Sequence, residues 1–196
     1  HNCHSSNILR CHSLPRLYIG SPFVMIEVKN LYKFFGEKGV LSDISFSLPH
    51  GQAVAIVGKS GAGKSVLLKC LIGLIKPDEG TIYVDNKLIN SMSFSQLQEI
   101  RASIGMVFQF GALFDSLSVS ENISLALRKL TKLSEDEIQE RVINSLESVD
   151  MANTEELMPE ELSGGMKKRV GIARAIAIEP AYLFYDEPTN LHQNLF

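Results

Sequence analysis

A glycine-rich segment, residues 58–65 (GKSGAGKS), has the composition and spacing of a loop that binds nucleotide phosphates. Its glycines allow the backbone to wrap tightly and to turn N–H groups toward phosphate oxygens. Lys64 supplies a positive charge to the outer phosphates, and the Ser65 hydroxyl is a ligand for Mg²⁺. The residues that we expect to contact the nucleotide here are Gly58, Lys59, Ser60, Gly61, Ala62, Gly63, Lys64, Ser65 and Val66.

Two adjacent carboxylates, Asp186 and Glu187, follow the apolar run of residues 182–185 (YLFY). A carboxylate at the tip of a buried strand can position Mg²⁺ through its water shell, and this is the role predicted for Asp186. Glu187 is the candidate for polarising the attacking water, because a base must lie near the water that it activates. An exposed acidic pair is the alternative, and the presence of the phosphate loop disfavours it.

A third motif, residues 162–166 (LSGGM), lies between these two. Ser163, Gly164 and Gly165 at the start of a helix form another end that can bind an anion. One nucleotide does not need two such ends from one chain. A head-to-tail dimer explains both, because each chain would then complete the ATP site of the other.

The elements that must position these motifs are strands and helices in alternation. Residues 53–57 (AVAIV) are continuously apolar, as in a buried parallel strand, and residues 104–109 and 182–186 are further strands. Helices are predicted from the phosphate loop to residue 74 and from about residue 164 to 178. Interleaved strands and helices predict an α/β fold with a mainly parallel sheet.

The remaining segments add strands and a helical region. Residues 44–48 (ISFSL) alternate like a half-buried strand, and residues 80–85 form another strand. Ser134 and Glu137 form a capping-box pattern at the start of an amphipathic helix. The stretch from about 113 to 162 is therefore predicted to be a helical subdomain.

The bulk composition narrows the function classes. A net charge of −3 and a pI near 6.0 disfavour a nucleic-acid partner, which normally needs a basic surface. A membrane-spanning helix needs about 20 mostly apolar residues, and no such run is visible in this sequence. A transport function would therefore require another chain to cross the bilayer. The three cysteines indicate no disulfide framework, and Cys70 is predicted to be a core residue.

In order and spacing, these motifs resemble those of ABC transporter ATP-binding subunits. The resemblance covers residues 26–189 and rests on the phosphate loop, on Gln109 after a strand, on LSGGM and on YLFYDEP at 182–188. It implies a P-loop NTPase fold with a RecA-like core, an antiparallel β subdomain and an ABC-type helical subdomain. It also implies hydrolysis of ATP to ADP and phosphate with Mg²⁺, in which two ATP molecules hold two subunits together.

The resemblance also assigns roles to single residues. Gln109 would sense the γ-phosphate, bind Mg²⁺ and link the site to a membrane partner. Ser163 and Gly165, with Gly164 between them, would contact the γ-phosphate of the opposite subunit's ATP. Catalysis would rest on Glu187 and Lys64, together with Gln109.

One aromatic residue has a role that stays open. Phe35 stands where the family stacks an aromatic ring on adenine. Plain core packing is the alternative for Phe35, and Tyr32 and Phe34 are close rivals for the stacking role.

Residues 108–123 and 157–177 resemble the ATPases of bacterial Mla/Mce-type systems, which move phospholipids or other lipids between membranes. This resemblance implies a homodimer that drives an integral membrane permease, with room for lipid-binding accessory subunits and no nucleic acid. It implies a peripheral location at the cytoplasmic face of the bacterial inner membrane. The rival is a non-transport ABC protein that acts on DNA or ribosomes, which the single site and the negative charge disfavour.

The two ends depart from the pattern. Residues 1–24 are rich in cysteine and histidine, but their spacings match no familiar zinc site, so we interpret them as a tag or translated leader without regular structure. The ABC domain then spans residues 25–196. After Thr189 the resemblance predicts a partner-contact loop and later a switch histidine on its own strand, which residues 190–196 do not supply. We therefore expect missing C-terminal strands, and poor stability or weak activity of this chain alone.

Overall fold

A computed structural model of the chain describes residues 10–13, 24–59, 61–108 and 111–186. The chain divides into two compact units, residues 1–100 and residues 101–196. The first unit contains the phosphate loop, and the second contains LSGGM and Asp186.

The first unit is built mainly of strands. In chain order its elements are β1 (Arg10–Ser13), β2 (Val24–Phe35), β3 (Lys38–Pro49), β4 (Val54–Val57), α1 (Lys64–Leu71), β5 (Glu79–Val84), β6 (Lys87–Leu88) and α2 (Phe94–Ala102). Four of these strands form one sheet in the order β3-β2-β5-β6, with every neighbouring pair antiparallel. This sheet confirms the expected antiparallel β subdomain.

The long hairpin of β2 and β3 shows why this sheet forms. Side chains alternate in burial along the predicted strand 44–48, where Ser45 and Ser47 are exposed and their apolar neighbours are half buried. Alternation of this kind places one face of a strand on the core and the other in water. The fully buried side chains of the sheet are Ile26, Val28, Leu31, Leu41, Ile82 and Val84.

The strand before the phosphate loop differs from the prediction. Residues 53–57 suggested a buried parallel strand, but β4 pairs antiparallel with β1, and Val57 is 55% exposed. An apolar run indicates burial without identifying the strand that pairs with it. The partner comes from residues 10–13, to which the sequence analysis assigned no regular structure.

The helix after the phosphate loop is shorter than expected. It was predicted to reach residue 74, but α1 ends at Leu71. Gly73 has a φ of +66°, and a Cβ at this position would lie 2.6 Å from a methyl carbon of Leu97. The left-handed backbone of Gly73 cannot continue the helix, and Leu97 leaves no room for a side chain at this position. Cys70 is fully buried in α1, as predicted.

The second unit combines two strands with three long helices. Its elements are β7 (Ile104–Val107), α3 (Val119–Leu130), α4 (Glu135–Glu147), α5 (Gly164–Ala177) and β8 (Tyr182–Tyr185). The strands β7 and β8 pair in parallel, from Ile104 opposite Tyr182 to Val107 opposite Tyr185. The strands expected at 104–109 and 182–186, and the helix expected from 164, are therefore confirmed within the described residues.

The three helices of this unit share one apolar core. Ser118 and Ser134 each cap a helix through a full capping box, with Glu121 and Glu137 as the reciprocal partners. The buried residues of the core are Val119, Ile123, Leu127, Ile138, Val142, Leu146, Met151, Leu162, Val170, Ala173 and Ala177. Packing thus joins the helices of the predicted subdomain 113–162 to α5, the helix that begins in LSGGM.

Candidate nucleotide site

The phosphate loop connects β4 to α1 in the first unit. Gly63 is the N-cap of α1, with φ of +93°, and no hydrogen bond from a capping side chain is present there among the described residues. The first amide groups of a helix lack partners within the helix and carry its positive end. A helix N-terminus of this kind is compatible with the predicted anion-binding role of the loop.

Gly63 also explains why the loop needs glycine. A Cβ at this position would lie 2.9 Å from the Val40 carbonyl oxygen and 3.0 Å from a methyl carbon of Leu41. Both atoms belong to β3, so the loop is packed directly on the antiparallel sheet. Only glycine combines this close approach with a left-handed backbone.

Lys64 reaches back across the loop that precedes it. Its Nζ donates hydrogen bonds to the carbonyl oxygens of Gly58, at 2.8 Å, and Lys59, at 3.1 Å. The turn is closed by a hydrogen bond from the Ala62 N–H to the Lys59 carbonyl oxygen. The ammonium group is thereby held against the backbone of the loop, and its contact with phosphate stays a prediction. Ser60 lies outside the described residues.

The three aromatic candidates near residue 35 have different surroundings. The rings of Tyr32 and Phe34 stack on each other, with centroids 6.4 Å apart and an interplanar angle of 7°. Phe35 is 50% exposed, and the Lys33 ammonium lies 5.5 Å from the centroid of its ring. The core-packing interpretation of Phe35 is therefore wrong, whereas its contact with adenine stays a prediction.

In the second unit, Asp186 directly follows β8. Its N–H donates a 2.9 Å hydrogen bond to the carbonyl oxygen of Val107, the last residue of β7. The two parallel strands therefore end at the same edge of their sheet. Gln109 and Glu187 are the next predicted site residues along β7 and β8, and both lie outside the described residues.

The LSGGM segment forms an accessible helix end in the same unit. The Ser163 hydroxyl accepts a 3.3 Å hydrogen bond from the Met166 N–H and so caps α5. Ser163, Gly164 and Gly165 are all exposed, and among the described residues no atom would lie within 4 Å of a Cβ at Gly164. This helix end is therefore exposed within the described part of the chain.

Arg174, for which the sequence predicted no role, joins α5 to the segment after Gln109. Its guanidinium donates to the carbonyl oxygens of Gly111, at 2.8 Å, and Ala112, at 2.9 Å. Burial lowers the pKa of this guanidinium. An arginine within the small apolar run of residues 171–177 (GIARAIA) was the signal that could have revealed it.

Asp78, the residue directly before β5, makes a second contact that the sequence did not predict. Its carboxylate accepts hydrogen bonds from the Phe34 N–H, at 2.6 Å, and from the Lys33 ammonium, at 3.0 Å. The hydrogen bond from the Phe34 backbone and then that from Lys33 hold the pKa of Asp78 below its usual value. An acidic residue after a proline in residues 76–80 (KPDEG) gives no local signal of this contact.

The described residues contain no group of three or more His, Cys, Asp or Glu side chains that could hold a metal ion. No helix within the described part of the chain has both the length and the apolar character needed to cross a bilayer.

Similarity to known proteins agrees with this geometry. Residues 41–190 match the family model described as ABC transporter. The chain is 46% identical over 177 residues to the Arabidopsis thaliana protein TRIGALACTOSYLDIACYLGLYCEROL 3, chloroplastic, covering 85% of this chain and 50% of that protein. It is 43% identical over 165 residues to the Mycobacterium leprae probable ribonucleotide transport ATP-binding protein mkl, covering 84% and 48%. The chain thus spans about half the length of these curated relatives.

The fold is also similar to that of a solved structure. The ATP-binding cassette MJ0796, in a dimeric post-hydrolysis state bound to ADP and Pi, superposes with a TM-score of 0.74 at 32% identity. The match covers 84% of this chain and 75% of that chain. The fold and the nucleotide motifs therefore agree with one family.

Proposed function

Because the chain belongs to the ABC transporter family, we propose that it is the ATP-binding and ATP-hydrolysing subunit of a transporter, and that its cargo is a lipid. The observation that carries the ATP-binding part is the phosphate loop between β4 and α1. There Gly63 is the N-cap of α1 and has no side chain to cover the helix end, and the Lys64 ammonium donates to a carbonyl oxygen of the loop. This arrangement recognises the charge of a triphosphate.

The oxygen donors of the chain suit Mg²⁺. Mg²⁺ prefers oxygen ligands and keeps several waters, and it is commonly held by one or two protein groups together with substrate phosphates. The Ser65 hydroxyl, the Asp186 carboxylate and the Gln109 amide are donors of that kind. The ion would neutralise charge that develops on the phosphate oxygens.

The proposed reaction is in-line attack of water on the γ-phosphate. Lys64 and the loop N–H groups stabilise the charge on the phosphoryl group as it transfers. Glu187 polarises the attacking water, and Gln109 responds to the γ-phosphate. The product phosphate then dissociates, and ADP stays bound at the loop.

A second copy of this chain is the proposed partner at the nucleotide. The exposed N-terminal end of α5, with Ser163 as its cap, offers anion-binding groups that its own chain does not cover within the described residues. In a head-to-tail dimer this end would contact the γ-phosphate of the opposite subunit. The dimeric state described for MJ0796 supports this assembly.

Lipid is the proposed cargo, moved by a membrane permease that this subunit drives from the cytoplasmic side of its membrane. The support is the Mla/Mce-like sequence at 108–123 and 157–177, and the 46% identity to a protein named for a galactolipid. Ribonucleotides are the second candidate, because the mkl protein is named for their transport. The proposed location is peripheral, as in bacterial inner-membrane systems of this kind.

The ATPase proposal is tested by measuring ATP binding and phosphate release for Lys64→Ala and Glu187→Gln. We expect Lys64→Ala to reduce turnover about 100-fold or more, as loss of one transition-state contact does. Glu187→Gln should retain ATP binding and lose turnover. Lys69→Ala, an exposed lysine in the last turn of α1, is the matched control. Turnover that survives both site variants would contradict the proposal.

The cargo proposal is tested with the native complex purified with its membrane subunit. The complex is placed in phosphatidylethanolamine and phosphatidylglycerol vesicles that contain a fluorescent phospholipid. ATP-dependent loss of that phospholipid to acceptor vesicles supports lipid as the cargo. ATP-dependent movement of radiolabelled ribonucleotides without phospholipid transfer would replace it.

A further inference from the structure

The end of β2 is held by one carboxylate, that of Asp78. The Asp78 Oδ2 atom accepts from the Phe34 N–H at 2.6 Å, and Oδ1 accepts from Lys33 Nζ at 3.0 Å. The Asp78 N–H in turn donates to the Tyr32 carbonyl oxygen at 3.0 Å. Three consecutive residues of β2 are therefore fixed by a single residue of the segment that follows α1.

Lys33 transmits this restraint to Phe35. The Lys33 side chain is only 14% exposed, and its Nζ pairs with the Asp78 carboxylate at 3.0 Å. Its Nζ lies 5.5 Å from the centroid of the Phe35 ring, within the range of a cation–π contact. One face of the Phe35 ring is thus covered by a cation whose position Asp78 determines.

The other two aromatic rings at the end of β2 contact each other. Tyr32 and Phe34 stack on each other, so each has a face closed by its neighbour. Phe35 is 50% exposed and is the most exposed of the aromatic side chains in the β2–β3 hairpin. Each of these rings keeps one face without such a neighbour, and the greater exposure of Phe35 makes its ring the candidate for contact with a planar base.

The hairpin that contains Phe35 lies against the phosphate loop within the same unit. Phe34 pairs with Gly39, and the next residue, Val40, presents its carbonyl oxygen to Gly63 at the start of α1. The aromatic ring and the phosphate-binding amides therefore belong to one packed assembly. A nucleotide with its phosphates on the loop would have its base near this hairpin.

From these contacts we propose that Asp78 is a positioning residue for base recognition, which acts by holding Lys33 on one face of Phe35 so that the other face receives the purine. This inference rests on the proposed function, because it presumes a nucleotide on the phosphate loop. Stacking depends on the face of a base and not on the hydrogen-bonding groups at its edge. Adenine and guanine nucleotides should therefore gain similar affinity from it. Inorganic tripolyphosphate has no base, so it should gain no affinity from this stacking.

The test compares the binding of ATP, GTP and inorganic tripolyphosphate to the wild-type chain and to Asp78→Asn by calorimetry. We expect Asp78→Asn to weaken ATP and GTP about 5- to 10-fold, a part of what one base–aromatic stack contributes. Tripolyphosphate affinity should change by less than about twofold. Glu79→Gln, the adjacent exposed carboxylate, is the matched control and should bind all three ligands like the wild type.

Two further variants separate positioning from a general structural role. Phe35→Ala should weaken ATP at least as much as Asp78→Asn, and the double variant should bind no more weakly than Phe35→Ala alone. Lys33→Met, which keeps the apolar stem, should reproduce Asp78→Asn even if substitution at residue 78 impairs folding. Additive losses in the double variant would overturn the inference.

The remaining outcomes are equally decisive. Equal weakening of ATP and tripolyphosphate by Asp78→Asn would show a general structural role, and so would overturn the inference while leaving the proposed function intact. Full ATP affinity in Phe35→Ala would overturn it in the same way. Failure of the wild type to bind either ATP or tripolyphosphate would overturn the proposed function itself.

Discussion

The guanidinium of Arg174 donates a 2.8 Å hydrogen bond to the carbonyl oxygen of Gly111. This hydrogen bond connects α5, the helix that begins in LSGGM, to the segment just after Gln109. A second hydrogen bond reaches the carbonyl oxygen of Ala112. Both acceptors are neutral backbone groups, and Arg174 is partly buried. The contact therefore depends on the arginine to satisfy two carbonyls at once.

Substitution of Arg174 should destabilise the second unit. Arg174→Ala leaves two carbonyl groups without their donor, and we expect a loss of about 1–3 kcal/mol in the free energy of unfolding. Arg174→Lys should recover only part of this, because an ammonium lacks the planar fork of donors. Urea unfolding measures both, and Arg169→Ala, at an exposed position of α5, should stay near the wild type. Equal midpoints for Arg169→Ala and Arg174→Ala would refute the expectation.

Two glycines make the same contact possible. A Cβ at Gly171 would lie 2.8 Å from the Gly111 Cα, and a Cβ at Gly111 would clash with the Lys167 carbonyl oxygen. Gly171→Ala should therefore push the segment away from α5, and overpacking of this kind costs about 1–3 kcal/mol in the free energy of unfolding. Thermal melts of both variants measure this, and Gly164→Ala, which has no atom of the described residues within 4 Å of its Cβ, should be neutral or stabilising.

The second unit should lose stability in acid. The pKa of Glu137 is held below its usual value by hydrogen bonds from the Ser134 backbone and side chain, and that of Glu135 by Arg128. Because these folded-state values are lowered, their contribution to stability is complete above the unfolded-state pKa of about 4.3 and disappears as the pH falls through the lower folded-state values.

This acid response can be measured for one carboxyl at a time. Between pH 6 and pH 3, the melting temperature of Glu137→Gln should fall less than that of the wild type, because one of the linked carboxyls is gone. Glu140→Gln, an exposed residue of the same helix, should follow the wild-type curve. Parallel curves for wild type and Glu137→Gln would contradict the assignment.

Cys70 should be chemically protected in the folded chain. Its thiol is fully buried, and burial raises its pKa to about 11. At pH 8 only about one thiol in a thousand would be the reactive thiolate, even where reagent could reach it. Peptide mass spectrometry after iodoacetamide treatment should show Cys70 alkylated in urea and spared in buffer. Rapid alkylation in buffer would mean that α1 opens readily.

Local patterns were predicted well because their physics is local. The capping box at Ser134 and Glu137 is confirmed, since both partners are three residues apart on one helix turn. The start of α5 at Gly164 follows from the Ser163 cap in the same way. The phosphate loop was recognisable because its glycines and Lys64 act within a segment of eight residues.

Contacts between distant segments were not predictable in the same way. The bond from Phe34 to Asp78 joins residues 44 positions apart, and that from Arg174 to Gly111 joins residues 63 apart. The pairing of β4 with β1 likewise depends on a segment with no strand pattern of its own. Such partners are chosen by packing, which a single sequence does not reveal.

The two carbonyl oxygens that receive the Lys64 ammonium have a consequence for affinity. The backbone itself selects the rotamers of this long side chain, and ordering a lysine side chain costs up to about 2 kcal/mol. This loss of side-chain entropy occurs when the protein folds and not when phosphate binds. Phosphate binding therefore requires little further ordering of Lys64. The strength of the site therefore depends on the turn from Lys59 to Ala62, and loosening that turn would weaken binding while every charge stayed in place.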